Sequence, residues 1–280
     1  MKLTSLPVSL YPEFASGRMA LGEWFRLARR IGLDGADFSV AHVPSRAAAD
    51  LDALRAQAAD AGVELPMLVT YTDFTHPDSG YRRGEIDDLR AWIAAAHRLG
   101  VKFLRVTAGQ AHDGVSEQDG LDWAVEGLTA CLSDAAAAGV GLLYENHTRG
   151  SVWQHNDFTQ PAARFLAVAR RTRGTGLELL FDTANCLALG DDPEAVLRQV
   201  IDRVGAVHVS DIKQRGAFEP TRIGTGAAPL RQLFEQLTAY GYDGWISIEE
   251  ASRTGLEGFE HAVAFVDRMW VEAGGTRRRR

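Results

Sequence analysis

The sequence predicts a single α/β domain folded as a (β/α)8 TIM barrel. Eight apolar, β-prone segments alternate with eight helix-like segments along the 280 residues, and no change in composition separates two domains. Each strand–helix unit takes up about 30–45 residues, as a strand with its crossover helix does. The alternative, an open doubly wound sheet, often has a glycine-rich first turn, and residues 11–17 contain no such fingerprint.

The strands are predicted where apolar runs follow a helix-ending glycine. Gly62, Gly100 and Gly139 each precede such a run, because glycine readily takes the left-handed conformation after a helix. The run 101–106 is apolar along most of its length, which is typical of parallel strands covered on both faces. The predicted strands are 3–10, 35–40, 64–70, 101–107, 140–145, 177–182, 206–210 and 243–249.

The helices are predicted from apolar residues spaced three and four apart and from start signals. Asp191-Asp192-Pro193 is one such start, with acids and a proline before a helical run. The predicted helices are 21–31, 46–61, 84–99, 116–138, 158–171, 193–203, 229–240 and 256–270. We expect the barrel to cover residues 1–273 and the arginine-rich segment 274–280 to be a disordered basic tail.

Charge and composition exclude several classes of function. The net charge of −7 argues against a general nucleic-acid binder, which needs a basic face. No apolar run approaches the roughly 20 residues of a membrane span, and the N-terminus has no signal-peptide core. Two cysteines form no disulfide framework. We therefore expect a cytoplasmic protein that contacts neither nucleic acid nor membrane.

A side chain able to bind a metal stands at the end of each of the last four predicted strands. These residues are Glu145, Asp182, His208 and Glu249. Active sites of barrels lie at the carboxyl ends of the strands, so the four side chains could meet at one point. Three carboxylates would repel one another without a cation. Oxygen ligands with one nitrogen suit Mn²⁺ best, with Mg²⁺, Co²⁺ or Zn²⁺ as alternatives.

Each of these residues also has a purely structural interpretation. The glutamates could form salt bridges at a sheet end, Asp182 could cap a turn, and His208 could be a core histidine. Glu250 poses a separate question, because a one-residue change of register would exchange it with Glu249. The coincidence at four consecutive strand ends favours the metal site.

The same stretches resemble the xylose isomerase-like barrels, a family that includes sugar isomerases, ketose 3-epimerases, inosose dehydratases and, more distantly, endonuclease IV. The resemblance spans most of the chain. It lies in Leu143-Tyr144-Glu145, in Phe181-Asp182-Thr183-Ala184-Asn185, in Val207-His208-Val209-Ser210-Asp211 and in the run from Gly241 to Glu249.

The resemblance implies that Glu145, Asp182, His208 and Glu249 hold a divalent metal and that Glu145 and Glu249 are also the catalytic acid–base pair. A metal that grips a hydroxy-ketone stabilises the enediolate left when a proton is removed. One departure concerns Asn185, where ketose 3-epimerases usually have histidine. A second lies after Glu145, where residues 147–151 lack the family's second glutamate.

Polar and aromatic residues near the predicted rim are candidates for binding a carbohydrate substrate. Asn185 can hydrogen-bond a sugar hydroxyl, and His147 could carry a proton or be a surface loop residue. Trp153 could stack on a sugar or cover the barrel edge. Arg105 could bind substrate or merely pair with a barrel acid such as Glu178. The substrate-binding candidates are Arg105, His112, His147, Trp153, Asn185 and Lys213.

Four functions follow from these observations. The first is a metal-dependent sugar isomerase or epimerase acting by proton abstraction next to a carbonyl. The second uses the same site as a lyase or dehydratase on a keto-sugar, keto-glycoside or inosose. A DNA-repair endonuclease and a non-catalytic binding module are the remaining alternatives. A homo-oligomer is possible by analogy with other barrels.

Overall fold

Eight parallel strands form a nearly closed barrel in the computed structural model, which describes residues 1–150 and 152–278. The predicted fold class, a single (β/α)8 barrel, is confirmed. The strands are β1 (Lys2–Leu6), β2 (Phe38–Ser39), β3 (Met67–Val69), β4 (Phe103–Val106), β5 (Gly141–Glu145), β6 (Glu178–Asp182), β7 (Val204–Val209) and β8 (Trp245–Glu249).

The hydrogen-bonded order is β1-β8-β7-β6-β5-β4-β3-β2, so β1 and β2 are the ends of the sheet. Single backbone bonds join them: the amides of Asp34 and Asp37 donate to the carbonyls of Leu3 and Ser5 at 2.8 and 3.1 Å. The barrel is therefore held together across this seam even though no regular ladder forms there.

Helices cover the outside of the barrel between successive strands. They are α1 (Tyr11–Ala15), α2 (Leu21–Arg30), α3 (Ala48–Ala61), α4 (Ser79–Leu99), α5 (Glu117–Thr129), α6 (Leu132–Ala138), α7 (Ala162–Arg171), α8 (Pro193–Val200), α9 (Leu230–Tyr240) and α10 (Leu256–Glu272). Short 3-10 helices lie at Val8–Leu10, Val40–His42, Cys186–Leu189 and Ile201–Arg203. Among the described residues, no helix is both long and apolar enough to cross a membrane.

The predicted element ends differ from the observed ones where a local signal outweighs the apolar pattern. The first strand ends at Leu6 rather than residue 10, since Pro7 leads into a 3-10 helix. The helix predicted over 116–138 is broken between α5 and α6, at Ala130 and Cys131. Helix α4 begins earlier than predicted because the Asp78 side chain caps it, accepting from the Tyr81 amide at 2.8 Å.

The C-terminal segment packs against the barrel up to the last described residue. The Arg278 guanidinium contacts Asp34 and Asp267, each at 2.7 Å, and its side chain is almost fully buried. The boundary at residue 273 stays a prediction, and the last two arginines of the predicted tail lie outside the described residues.

Candidate metal centre

The pleat of the strands directs the four candidate ligands into the barrel. A small apolar cluster fills the barrel interior, and it includes one residue from each of β5 to β8. Successive side chains of a strand alternate between its faces, so residues two or four positions further along share the interior face. The pairs of interior and ligand residues are Leu143 with Glu145, Leu180 with Asp182, Ala206 with His208, and Trp245 with Glu249.

At the carboxyl ends of these strands the four side chains meet. One ligand atom from each residue lies within 4.8 Å of those of the other three. The His208 Nδ1 atom is 2.9 Å from Glu145 Oε1 and 3.4 Å from Glu249 Oε2. Glu145, Asp182 and His208 are buried, whereas the Glu249 side chain is 26% exposed. The centre is therefore closed toward the barrel interior and accessible from the side of Glu249.

Asp182 is held rigidly by one of its oxygens only. Its Oδ1 accepts from the Asn185 amide and the Ser210 hydroxyl, both at 2.7 Å. The Asn146 side-chain oxygen accepts a hydrogen bond from the Asp182 backbone amide at 2.7 Å. The Asp182 Oδ2 atom is buried and, within the described part of the chain, has no hydrogen-bond partner. A buried carboxylate oxygen needs a partner, and a divalent cation with this donor set fits that need.

In the absence of a metal, the protonated His208 imidazole balances part of the negative charge at the centre. Burial alone would lower the pKa of His208, but Glu145 and Glu249 raise it to about 10, so the metal-free imidazole is protonated. Burial raises the pKa of Asp182, and the two glutamates raise it further. A divalent cation would supply the positive charge that the imidazolium provides here.

Arg105 keeps Glu145 ionised. Burial would raise the pKa of Glu145, but Arg105 and His208 hold it well below its usual range. The buried Arg105 Nε lies 3.4 Å from Glu145 Oε2, and its guanidinium stacks over Tyr71 at 4.9 Å. The partner of Arg105 is thus Glu145 rather than Glu178.

The register question at the end of β8 is resolved. Glu249 faces the centre, while Glu250 is buried on the other face and accepts from the Ser252 amide at 3.0 Å.

Three further polar side chains, Thr4, Asp37 and Ser247, lie buried on the interior faces of the barrel around His208. Thr4 and Ser247 lie close enough to Asp37 to interact with its carboxylate, and His208 Nε2 is buried without a hydrogen-bond partner among the residues described. Asp37 interacts electrostatically with His208, and burial raises its pKa to about 6. A carboxylate near a metal-binding histidine can hold the proton on one ring nitrogen and leave the other for a metal.

We expect Asp37→Asn to weaken Mn²⁺ binding by about 10–100-fold, the usual cost of losing an outer-shell partner of a metal-binding histidine. Asparagine keeps the oxygen that accepts from the Met67 amide at 3.0 Å, so the fold is preserved. Calorimetric titration of metal-free protein with Mn²⁺ measures the change. Asp34→Asn, at the opposite end of the barrel, is the matched control, and equal affinities in the two variants would refute the role of Asp37.

A large cavity, about 1460 Å³, opens at the rim beside Glu249. Of the sequence-predicted substrate residues, Arg105, His147 and Lys213 line it. The His147 Nδ1 atom lies 3.4 Å from Asp157 Oδ2, and Lys213 pairs with Glu219 at 3.2 Å.

The other three predicted substrate residues do not line this cavity. His112 contacts Asp73 at 2.8 Å, and its ring is 5.5 Å from that of His155. Trp153 is buried and packs edge-on against His147 at 5.4 Å. Asn185 is buried beside Asp182. Trp153 therefore supports His147, and Asn185 supports Asp182. A substrate contact for any of the three stays a prediction.

Sequence reasoning missed Tyr11 and Asp37. Tyr11 follows β1, lines the cavity, and has its pKa raised by burial, by Tyr71 and by Glu249. The available signal for Asp37 was an acidic residue inside the predicted strand 35–40.

Comparison with known proteins agrees with this architecture. The model of the xylose isomerase-like TIM barrel family matches residues 25–269. The chain belongs to this family.

Relatives of this chain differ in the activities that their names give. A Streptomyces coelicolor protein carrying the name hydroxypyruvate isomerase is 32% identical over 219 residues, covering 74% of this chain and 76% of the relative. An inosose dehydratase of Lacticaseibacillus casei is 25% identical over 197 residues, covering 60% of this chain and 63% of the relative. This chain is thus similar both to a relative named as an isomerase and to one named as a dehydratase.

Among solved structures, the IolI protein with a bound zinc atom has the same fold. It superposes with a TM-score of 0.79 at 16% identity, and the alignment covers 98% of this chain and 99% of that one.

Proposed function

We propose that this protein is a divalent-metal-dependent isomerase or epimerase of a small carbohydrate. The observation that carries the proposal is the cluster of Glu145, Asp182, His208 and Glu249, whose ligand atoms lie within 4.8 Å of one another. All four would hold the ion, with Mn²⁺ as our first choice. When bound, the ion would supply Lewis-acid stabilisation of negative charge on two neighbouring substrate oxygens.

Glu249 would remove the substrate proton. It lines the cavity, and its side chain is the accessible one of the two glutamates. A carboxylate in that position can take a proton from the carbon next to a carbonyl. Arg105 orients Glu145 from behind, at 3.4 Å, and leaves its other oxygen toward the centre.

Glu145 would return the proton from the opposite side of the substrate. Return to the same carbon on its other face inverts that carbon and gives epimerisation. Return to the neighbouring carbon moves the carbonyl and gives aldose–ketose isomerisation. Because Arg105 favours the ionised form of Glu145 at rest, Glu145 would first take up a proton from solvent, and Glu249 would release one to solvent after turnover, so the protons balance without a co-reactant.

A dehydratase acting through the same proton removal is the second candidate. The similarity to an inosose dehydratase supports it, and so does Asn185, which stands where the ketose 3-epimerases of this family usually have histidine. Here the proton would be removed as before, and a hydroxyl on the next carbon would leave as water.

Solvent deuterium distinguishes these reactions. We expect Mn²⁺-loaded protein in D₂O to place deuterium next to the carbonyl of at least one keto-sugar or inosose in a panel, because the glutamates exchange their proton with solvent. Mass spectrometry and NMR measure the uptake. Uptake without loss of water supports the isomerase, and uptake with loss of water supports the dehydratase. No uptake into any member of the panel would contradict both.

We also propose a cytoplasmic location and a possible homo-oligomeric assembly. The family relationship to carbohydrate enzymes supports the location, and sedimentation analysis tests the assembly.

A further inference from the structure

The cavity beside the metal centre has two chemically different ends. Arg105, His147 and Glu249 form the polar end, next to the centre. The other end is formed by the segments that follow β1 and β2, and it is mostly apolar. Its lining includes Val8, Tyr11, Phe14, Met19, Val43 and Leu54.

Stacked rings build the apolar end before any ligand arrives. The His42 ring lies 4.7 Å from that of Tyr11 and 4.8 Å from that of Phe14. Phe14 also belongs to the main hydrophobic core, which fixes its position. Burial lowers the pKa of His42, so the imidazole is neutral at neutral pH. We call Tyr11, Phe14, Met19, His42 and Val43 the apolar wall.

Tyr11 joins the apolar wall to the metal centre. Tyr11 lines the same cavity as Glu249, and its ring lies 4.7 Å from that of His42 in the apolar wall. Tyr11 is therefore shared by the two ends of the cavity.

This cavity is larger and more apolar than a free sugar alone requires. Its volume of about 1460 Å³ exceeds the roughly 300–1,000 Å³ that holds a drug-sized ligand. A free sugar has a hydroxyl on nearly every carbon, and hydroxyls turned toward the apolar wall would lose water without gaining hydrogen bonds. Two apolar side chains at the mouth, Val152 at 62% and Phe218 at 51% exposed, also lack a covering group.

We propose that the substrate is a keto-sugar bearing an apolar, ring-sized substituent such as an aromatic aglycone. The sugar would lie at Glu249, and the substituent would lie on the apolar wall, where burial of a ring and contact with Tyr11 and Phe14 favour binding. This inference rests on the proposed function and names the substrate class for the same site.

Two probes that differ only in the substituent test it. We use the phenyl and methyl glycosides of 3-keto-D-glucose and measure their binding to the full Mn²⁺-loaded chain by calorimetry. The phenyl glycoside should bind at least ten times more tightly. Met19→Ser and Val43→Ser, at partly exposed positions of the apolar wall, should remove most of that preference and change the methyl glycoside's affinity less than twofold. Val271→Ser, on α10 and outside the cavity lining, is the control and should keep the preference.

Each other outcome has one meaning. Equal affinity of the two glycosides overturns the inference, and deuterium uptake from D₂O into either would leave the proposed function standing. Preference for the phenyl glycoside without deuterium uptake by any keto-sugar supports the apolar wall as the binding site of the substituent but contradicts the proposed function, so the glycoside would then be a ligand and not a substrate. Absence of binding by both probes overturns the inference. A dimer in which a second copy covers the apolar wall would also overturn the inference. Sedimentation would reveal it as a dimer in the wild type and a monomer in Phe218→Asp.

Discussion

Glu249→Gln should lower kcat by about 10²–10⁴-fold, the usual contribution of one general acid or base. Glutamine has nearly the same shape and keeps an oxygen that can bind a metal, but it cannot take a proton from the substrate. Glu249 is partly exposed and its strand is well packed, so the fold should not change. Steady-state kinetics on the most active substrate of the deuterium panel, with metal content measured in the same samples, provide the test.

The neighbouring carboxylate is the control for this variant. Glu250 lies on the opposite face of β8 and bonds Ser252, so Glu250→Gln should keep kcat within a few-fold. Glu145→Gln should also remove turnover, but it leaves the buried Arg105 without its anionic partner and should lower stability as well. Retained turnover in Glu249→Gln, with metal bound, would assign the base to another residue.

Removal of the metal should abolish turnover and lower the temperature of unfolding, and Mn²⁺ should restore both. Without a cation, Asp182 keeps a buried oxygen that has no hydrogen-bond partner among the described residues, and His208 must carry a proton to balance the glutamates. An ion that binds only the folded protein stabilises it by about 2.7 kcal/mol when its concentration is 100 times its Kd. Differential scanning calorimetry with and without Mn²⁺ measures this gain.

Asp182→Asn is the matched variant for metal removal. It keeps the bonds from the Asn185 amide and Ser210 but removes a negative charge, so Mn²⁺ should raise its unfolding temperature much less. Full turnover by a sample verified to be metal-free would refute the metal requirement.

The sequence predicts the barrel well because its evidence is local and repeated. Apolar runs after helix-ending glycines mark several of the strands. Gly100 and Gly139, for example, have the positive φ expected after a helix. The ends of elements were less predictable. The break at Cys131 and the early start of α4 depend on single residues and their neighbours rather than on the apolar period.

The four candidate ligands were predictable because strand ends converge in any closed barrel. Their common face follows from the two-residue period of each strand. Asp37 and Tyr11 were not predictable in this way, because each matters through contacts with His208 or Glu249 that are distant in sequence. His112 lies near the rim but contacts Asp73, 39 residues earlier, and no sequence pattern indicated that pairing.

Anomalous diffraction from crystals soaked in Mn²⁺ tests the metal centre most directly. We predict one strong peak at the manganese edge, at about 2.0–2.3 Å from oxygens of Glu145, Asp182 and Glu249 and from His208 Nδ1. The peak should be absent from crystals of Asp182→Asn soaked at the same low concentration. A manganese peak elsewhere, with none among these four side chains, would contradict the account.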